Sequence, residues 1–205
     1  MRTFIAIDLE PGLKTVLQDL IRKLKRTGAD VRWTRTEGLH LTLKFLGQVV
    51  PEELDKVKAV MGSIAGRHRS FPLKLSGTGA FPNERNPRVL WVGFAAEPAL
   101  LELQEDRERG LESAGFPRED RPFKPHLTLG RVNGPSRIRE AVQALSGERP
   151  EDWSAMTVRK ITLFESRLHP EPKNEGQRLI LSPDTHPALR PTGLVFVPAT
   201  HDTCS

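Results

Sequence analysis

Two pairs of side chains in this sequence have the types and spacing for phosphate chemistry: His40 with Thr42 in Leu39-His40-Leu41-Thr42-Leu43, and His126 with Thr128 in Pro125-His126-Leu127-Thr128-Leu129. Imidazole titrates near neutrality, so of two histidines in one site one can accept a proton while the other donates one. Such a pair suits in-line displacement at phosphorus: the base activates water, and the acid protonates the leaving ribose oxygen. The threonine hydroxyls can donate to the non-bridging oxygens, where charge concentrates. No metal is required. One His-x-Thr on a half-buried strand reads as ordinary packing. A second copy of the whole His-Leu-Thr-Leu is harder to attribute to packing, which would ask only for an apolar residue and not for His each time.

The elements that must position these residues repeat as well. His126 minus His40 is 86, and the same offset lays Phe4-Ile5-Ala6 on Leu90-Trp91-Val92 and Leu17-Gln18-Asp19 on Leu103-Gln104-Glu105. Each half reads as a strand, a helix and then a strand carrying the motif, which is one duplicated unit rather than a solenoid. Alternation along a strand puts His40 and Thr42 on one face and Leu41 and Leu43 on the other, and likewise for His126, Thr128, Leu127 and Leu129. Two lobes related by a pseudo-twofold would then face a shared groove lined by two imidazoles and two hydroxyls.

Periodicity fills in the rest. Leu13, Leu17, Leu20, Ile21 and Leu24 predict a helix opened by Pro11 and stopped near Gly28, and Leu54, Val57, Val60, Met61 and Ile64 predict a second after Pro51. A third spans about 98–114, with Gln104 to Arg109 as its solvated face, and a shorter one carries Ile138, Val142 and Leu145. Strands are predicted at 4–9, 31–34, 39–46, 71–75, 89–94, 126–132 and 158–164, with a weaker one at 179–181. The stretch 77–87 reads as a Gly/Pro/Asn loop, and 183–205 as a loosely ordered tail after one two-lobed domain over 1–182.

A chain of 205 residues can bury a core without staples, and 37% apolar with 28% charged residues is ordinary for a globular protein. The single cysteine, Cys204, excludes an internal disulfide framework or a cysteine-rich zinc site. The apolar start is cut short by Asp8, Glu10 and Pro11, and no run approaches the roughly 18 residues of a membrane span, so a cytoplasmic, non-membrane protein is expected. A formal charge of +5 favours a polyanionic partner without specifying one.

Leu39-His40-Leu41-Thr42-Leu43-Lys44-Phe45-Leu46-Gly47, Gly79-Ala80-Phe81-Pro82 and Lys124-Pro125-His126-Leu127-Thr128-Leu129-Gly130-Arg131 together resemble the bacterial and archaeal RNA 2',3'-cyclic phosphodiesterases, also called 2'-5' RNA ligases, of the two-histidine (2H) phosphoesterase superfamily. The likeness runs from Met1 to about Ser166. It implies a bilobal α+β fold, with two antiparallel sheets flanked by helices around a central cleft. It further implies hydrolysis of RNA terminal 2',3'-cyclic phosphate to a 2'-phosphomonoester, with ligation as the ATP-independent reverse reaction. His40 would be the proton donor, His126 the proton acceptor, and Arg131 would join Thr42 and Thr128 in binding phosphate. Strict alternation points Arg131 away from His126, a conflict that only a bulge or strand end at Gly130 resolves.

The weaker signals concern RNA contacts. The family often carries an aromatic near its C-terminal Gly-rich turn, but this chain has no Tyr and reads Gly176-Gln177-Arg178 there. Trp33, Phe45 and Phe123 are the remaining candidates for stacking an unpaired base, although Phe45 shares parity with the core leucines. Lys44, on the face of His40, and Lys124, before His126, could add positive charge. The other histidines, His68 among them, receive no role. No Walker loop or other nucleotide site is present, so neither cofactor nor metal is expected, and the partner is RNA with a cyclic phosphate end, met by a monomer. The alternatives are an RNA-end-binding module without catalysis and a phosphodiesterase for small cyclic nucleotide phosphates.

Overall fold

In the computed structural model, residues 2–153, 155–167 and 188–196 are described, with side chains through 165. The expected strand at 179–181 and the turn at 176–178 lie outside them. The first half comprises β1 (Arg2–Asp8), α1 (Pro11–Lys25), β2 (Val31–Trp33), β3 (His40–Gln48), α2 (Pro51–Ala65), β4 (Phe71–Leu73) and β5 (Leu75–Phe81). The second comprises β6 (Val89–Phe94), α3 (Pro98–Ser113), β7 (His126–Val132), α4 (Ile138–Ser146), β8 (Met156–Val158), β9 (Lys160–Arg167) and β10 (Ala188–Phe196). β10 occupies part of the tail expected to be loosely ordered.

The offset of 86 extends beyond the motif strands to β4 and β5, although β2 has no strand at the equivalent 117–119. Adding it to β4 (71–73) gives 157–159, overlapping β8, and adding it to β5 (75–81) gives 161–167, inside β9. The sheets exchange these equivalent strands. One sheet runs β10-β9-β1-β3 and the other β2-β7-β6-β5, so the first half donates β2 and β5 to the second lobe and receives β9 in return. The equivalent strands β4 and β8 pair with each other, antiparallel, Pro72 opposite Thr157. All the described pairings are antiparallel.

β5 overturns the first part of the loop expected over 77–87: residues 77–81 belong to the strand, and 82–87 remain a loop. Its composition hid it: Gly77 sits at a φ of +69° beside a bulge, and Gly79 lies flat against the Trp91 ring, where an added Cβ would come within 2.6 Å of Cζ2. Glycines that look like turn residues are used for bending and close approach.

The apolar stripe of α1, Leu13, Leu17, Leu20, Ile21 and Leu24, is wholly buried. It packs in one continuous core with Ile5 and Ile7 of β1, Leu41 and Leu43 of β3, and Leu127 and Leu129 of β7. The opposite face of the sheet containing β1 is partly covered by a second, smaller cluster. On β1 that face carries Phe4 and Ala6, which cluster with Phe164 of β9 apart from the main core.

Both motif strands are interrupted at equivalent places. In β3, Ile5 pairs with Lys44 and Ala6 with Thr42, so Leu43 is an extra residue; in β7, Leu90 pairs with Gly130 and Trp91 with Thr128, so Leu129 is extra. Leu43 plus 86 is Leu129. A classic bulge sets two residues against one and reverses the facing of everything that follows.

Candidate active site

The bulges rearrange what alternation alone would predict. Past Leu43, Lys44 turns to the core side and is 2% exposed, while Phe45, opposite Phe4, turns to the cleft and is 59% exposed. Parity with Leu41 and Leu43 pointed Phe45, a stacking candidate, toward the core, and pointed Lys44 toward the phosphate or the solvent; the bulge reverses both facings. Past Leu129, Arg131 pairs with Val89, two residues along from Trp91, which pairs with Thr128. Arg131 therefore shares the face of Thr128 and His126. Gly130, now on the core side, is packed so closely that a Cβ there would meet Val31 Cγ1 at 2.5 Å.

A cleft cavity of about 780 Å³ gathers Thr42, Phe45, Phe123, Lys124, His126 and Arg131, whereas His40 and Thr128, on the same two strands, are not among its lining residues. It also takes in Phe81, Arg88, Glu119 and Arg121, which sequence reasoning had not assigned to the site. Phe81 stood within a motif quoted for the resemblance, whereas Arg88 and Arg121 lie in loops with no periodicity to mark them. Trp33 is half-buried, packs against the main core, and is not part of the cavity wall.

Each catalytic candidate is held by an aromatic. His40 stacks on Phe4 at 4.9 Å between ring centroids and lies 5.9 Å from Phe164, while Phe81 meets His126 edge-on at 4.9 Å. The two imidazoles differ electrically. His126 Nδ1 lies 2.7 Å from the Lys124 carbonyl, which can only accept, so in the neutral ring Nδ1 carries the hydrogen and Nε2 holds the lone pair. His40 is mostly buried, and burial lowers its pKa to about 4 against the opposing influence of Asp8. Asp8, its cross-strand neighbour, is itself tied to Lys14 at 2.7 Å, and Lys14 pushes the His40 pKa further down. His40 Nδ1 is buried without a well-formed hydrogen bond, the Gly38 carbonyl favouring its protonation only in part.

Lys44 has a different task from the one expected. Its Nζ donates to Glu108 Oε2 at 2.7 Å and to the Pro117 carbonyl at 2.8 Å, and the same Glu108 oxygen accepts from the Glu119 amide at 3.2 Å. Arg107 Nη2 sits 2.9 Å from Glu108 Oε1. Burial alone would raise the Glu108 carboxyl, but hydrogen bonding from Lys44 and the nearby Arg107 and Lys44 charges hold it below the usual range. The run from Gln104 to Arg109 is thus no uniformly solvated face: Arg107 and Glu108 are 1% and 3% exposed. This latch joins the first motif strand to α3 and to the loop that delivers His126. His68, given no role, pairs with Asp106 at 2.9 Å on the surface of α3, and that hydrogen bond lowers the Asp106 pKa.

Among the described residues, no three His, Cys, Asp or Glu side chains gather as a metal set, and no helix is long and apolar enough to cross a membrane.

The family model of LigT-like phosphoesterases matches the chain twice, over residues 7–91 and 92–173, one copy for each half of the duplication. The chain belongs to that family. An RNA 2',3'-cyclic phosphodiesterase of Methanothermobacter thermautotrophicus is 34% identical over 171 residues, 83% of this chain and 92% of that one. One of Archaeoglobus fulgidus is 33% identical over 172 residues, 83% and 94% of the two chains. Among solved structures, a Thermus thermophilus protein superposes with a TM-score of 0.75 at 28% identity, covering 98% of this chain and all of that one. LigT of E. coli complexed with 3'-AMP gives 0.72 at 24% identity over 96% and 97%, a likeness of fold. The LigT-like α+β architecture expected from the paired motifs is therefore the one found.

Proposed function

We propose that this LigT-like phosphoesterase is an RNA 2',3'-cyclic phosphodiesterase that opens the terminal ring to a 2'-phosphomonoester without a metal. The observation that carries the reading is the pair of equivalent His-x-Thr strands, which bring Thr42 of one and His126 of the other to a single cleft, in a chain about a third identical to relatives of that name. Water attacks phosphorus in line with the bond to O3', and that bond breaks. His126 Nε2 takes the proton from water, consistent with its Nδ1–H being committed to Lys124. His40 delivers a proton to O3'. Thr42, Thr128 and Arg131 hold the non-bridging oxygens, where charge builds in the transition state.

A donor that is neutral in the free protein must acquire its proton with the substrate. The bound phosphodiester carries a negative charge, and an anion within hydrogen-bond reach favours the imidazolium by the same Coulombic logic that burial works against. Phe45, exposed across from the arginine wall, is suited to stack the terminal base. Ligation is the microscopic reverse, with the two histidines exchanging roles and no ATP. A cytoplasmic monomer acting on processed RNA ends fits this chemistry.

The test is incubation of an oligonucleotide ending in a 2',3'-cyclic phosphate with the protein in EDTA, followed by identification of the product. A 2'-phosphate is expected, and His40→Ala and His126→Ala should each abolish it. Opening only after metal addition would defeat the mechanism, and tight binding without turnover would favour an RNA-end-binding module.

A further inference from the structure

The two walls of the cleft are unlike in charge. The β3 wall contributes Thr42, Leu43 and Phe45, and the one cation of that segment, Lys44, is turned inward and neutralised by Glu108. The opposite wall carries Arg88, Arg121, Lys124 and Arg131, all exposed, against the single acid Glu119. Among the described residues none of these four cations is in an ion pair with a carboxylate, although most exposed arginines of α3 and its surroundings are. A terminal cyclic phosphate has one negative charge, which Arg131 and the two threonines already meet. The remaining cations exceed what that group needs.

The β6–β7 ladder gives the excess charge a direction. From the catalytic end it runs His126 opposite Gly93, Thr128 opposite Trp91, and Arg131 opposite Val89. Arg88 is the next residue along, its carbonyl accepting from the Val132 amide at 3.0 Å. At about 3.3 Å per strand residue, Arg88 lies one short step beyond the phosphate clamp, on the side leading away from the histidines. Arg121 joins it from the loop held by the Lys44–Glu108 latch.

Resting on the RNA-end reading above, we infer that Arg88 and Arg121 form a second phosphate subsite, which holds the phosphodiester joining the terminal nucleotide to its 5' neighbour. The substrate is then the end of an oligoribonucleotide in preference to a cyclic mononucleotide. The strand backbone follows the arginine wall, and Phe45 faces the bases.

The experiment compares kcat/KM for a nucleoside 2',3'-cyclic phosphate with that for a dinucleotide bearing the same cyclic end. Adding the internal phosphodiester should raise kcat/KM about ten- to a hundredfold, the range of one or two charge-assisted hydrogen bonds. Arg88→Ala and Arg121→Ala should each lower the dinucleotide-to-mononucleotide ratio about tenfold, and Arg88→Lys should restore part of it. The ratio serves as an internal control, because misfolding or damage to the catalytic groups lowers both rates together. Equal kcat/KM for the two substrates, or a ratio unmoved in both arginine variants, would overturn the subsite while leaving the phosphodiesterase intact. Hydrolysis of neither substrate would instead refute the RNA-end reading, and the subsite with it.

Discussion

Replacing His40 by Gln should change how the protein's stability depends on pH as well as stopping catalysis. Burial lowers the His40 pKa from 6.5 to about 4. In the unfolded chain the ring takes up a proton as pH falls below 6.5, while in the folded protein it resists doing so until about 4. The contribution to stability is therefore complete above 6.5 and is lost as pH falls from there to about 4. One pKa unit corresponds to about 1.4 kcal/mol, so this single ring should cost the wild type about 3 kcal/mol across that interval. The assay is urea denaturation of wild type and His40→Gln at pH values from about 7.5 to about 4.5, which bracket most of that interval. The variant loses the stacking on Phe4 at every pH, a constant offset, so the quantity of interest is the convergence of the two curves on acidification. Groups common to both proteins cancel. Parallel curves, or an NMR titration placing His40 near its ordinary value of 6.5 in the free protein, would refute the reasoning. With inorganic phosphate added, the His40 titration should move upward, as a donor charged by its substrate requires.

The other predictions concern the surroundings of the site. Lys44→Met should destabilise by about 3 kcal/mol in chemical denaturation, because it strands a buried carboxylate, and Lys44→Met combined with Glu108→Gln should recover much of that loss. Gly130→Ala should cost about 1–3 kcal/mol through the clash with Val31 and raise KM by displacing Arg131. Phe45→Ala should leave the unfolding midpoint nearly unchanged and raise KM for RNA about five- to a hundredfold, the worth of about 1–3 kcal/mol of base stacking, with Phe45→Trp retaining affinity. A Phe45→Ala protein that unfolded early with unaltered KM would return that ring to a packing role.

Local spacing carried the sequence reading wherever a residue's fate depended on its immediate neighbours. The stripe Leu13, Leu17, Leu20, Ile21 and Leu24 is buried as its period demands, and parity put Leu41 and Leu127 in the core and Thr42 and His126 toward the cavity, all four preceding the bulges. It failed at Lys44 and Phe45 because a bulge inserts one residue without a side-chain signature, and the residues directly after it then change face. At Arg131 the same event was visible as a contradiction, since the motif required a facing that alternation denied. Arg107 and Glu108 were taken for solvated charges because a charge in a helix does not announce a partner far away in the chain. β5 was hidden by its glycines. Arg88 and Arg121 emerge only when the chain is folded around the cleft.

The twin bulges have a consequence for how a duplicated protein can specialise. Residues before the kink are fixed by chemistry and are the same in both copies, His and Thr at each. Residues just after it reach the same chamber but stand outside that constraint, and by the offset of 86 Phe45 is the counterpart of Arg131, just as Lys44 is of Gly130. On the proposed mechanism, the residue inserted directly after each His-x-Thr would separate a shared reaction from a divergent reader, giving a symmetric catalyst an asymmetric grip on the two ends of a nucleotide.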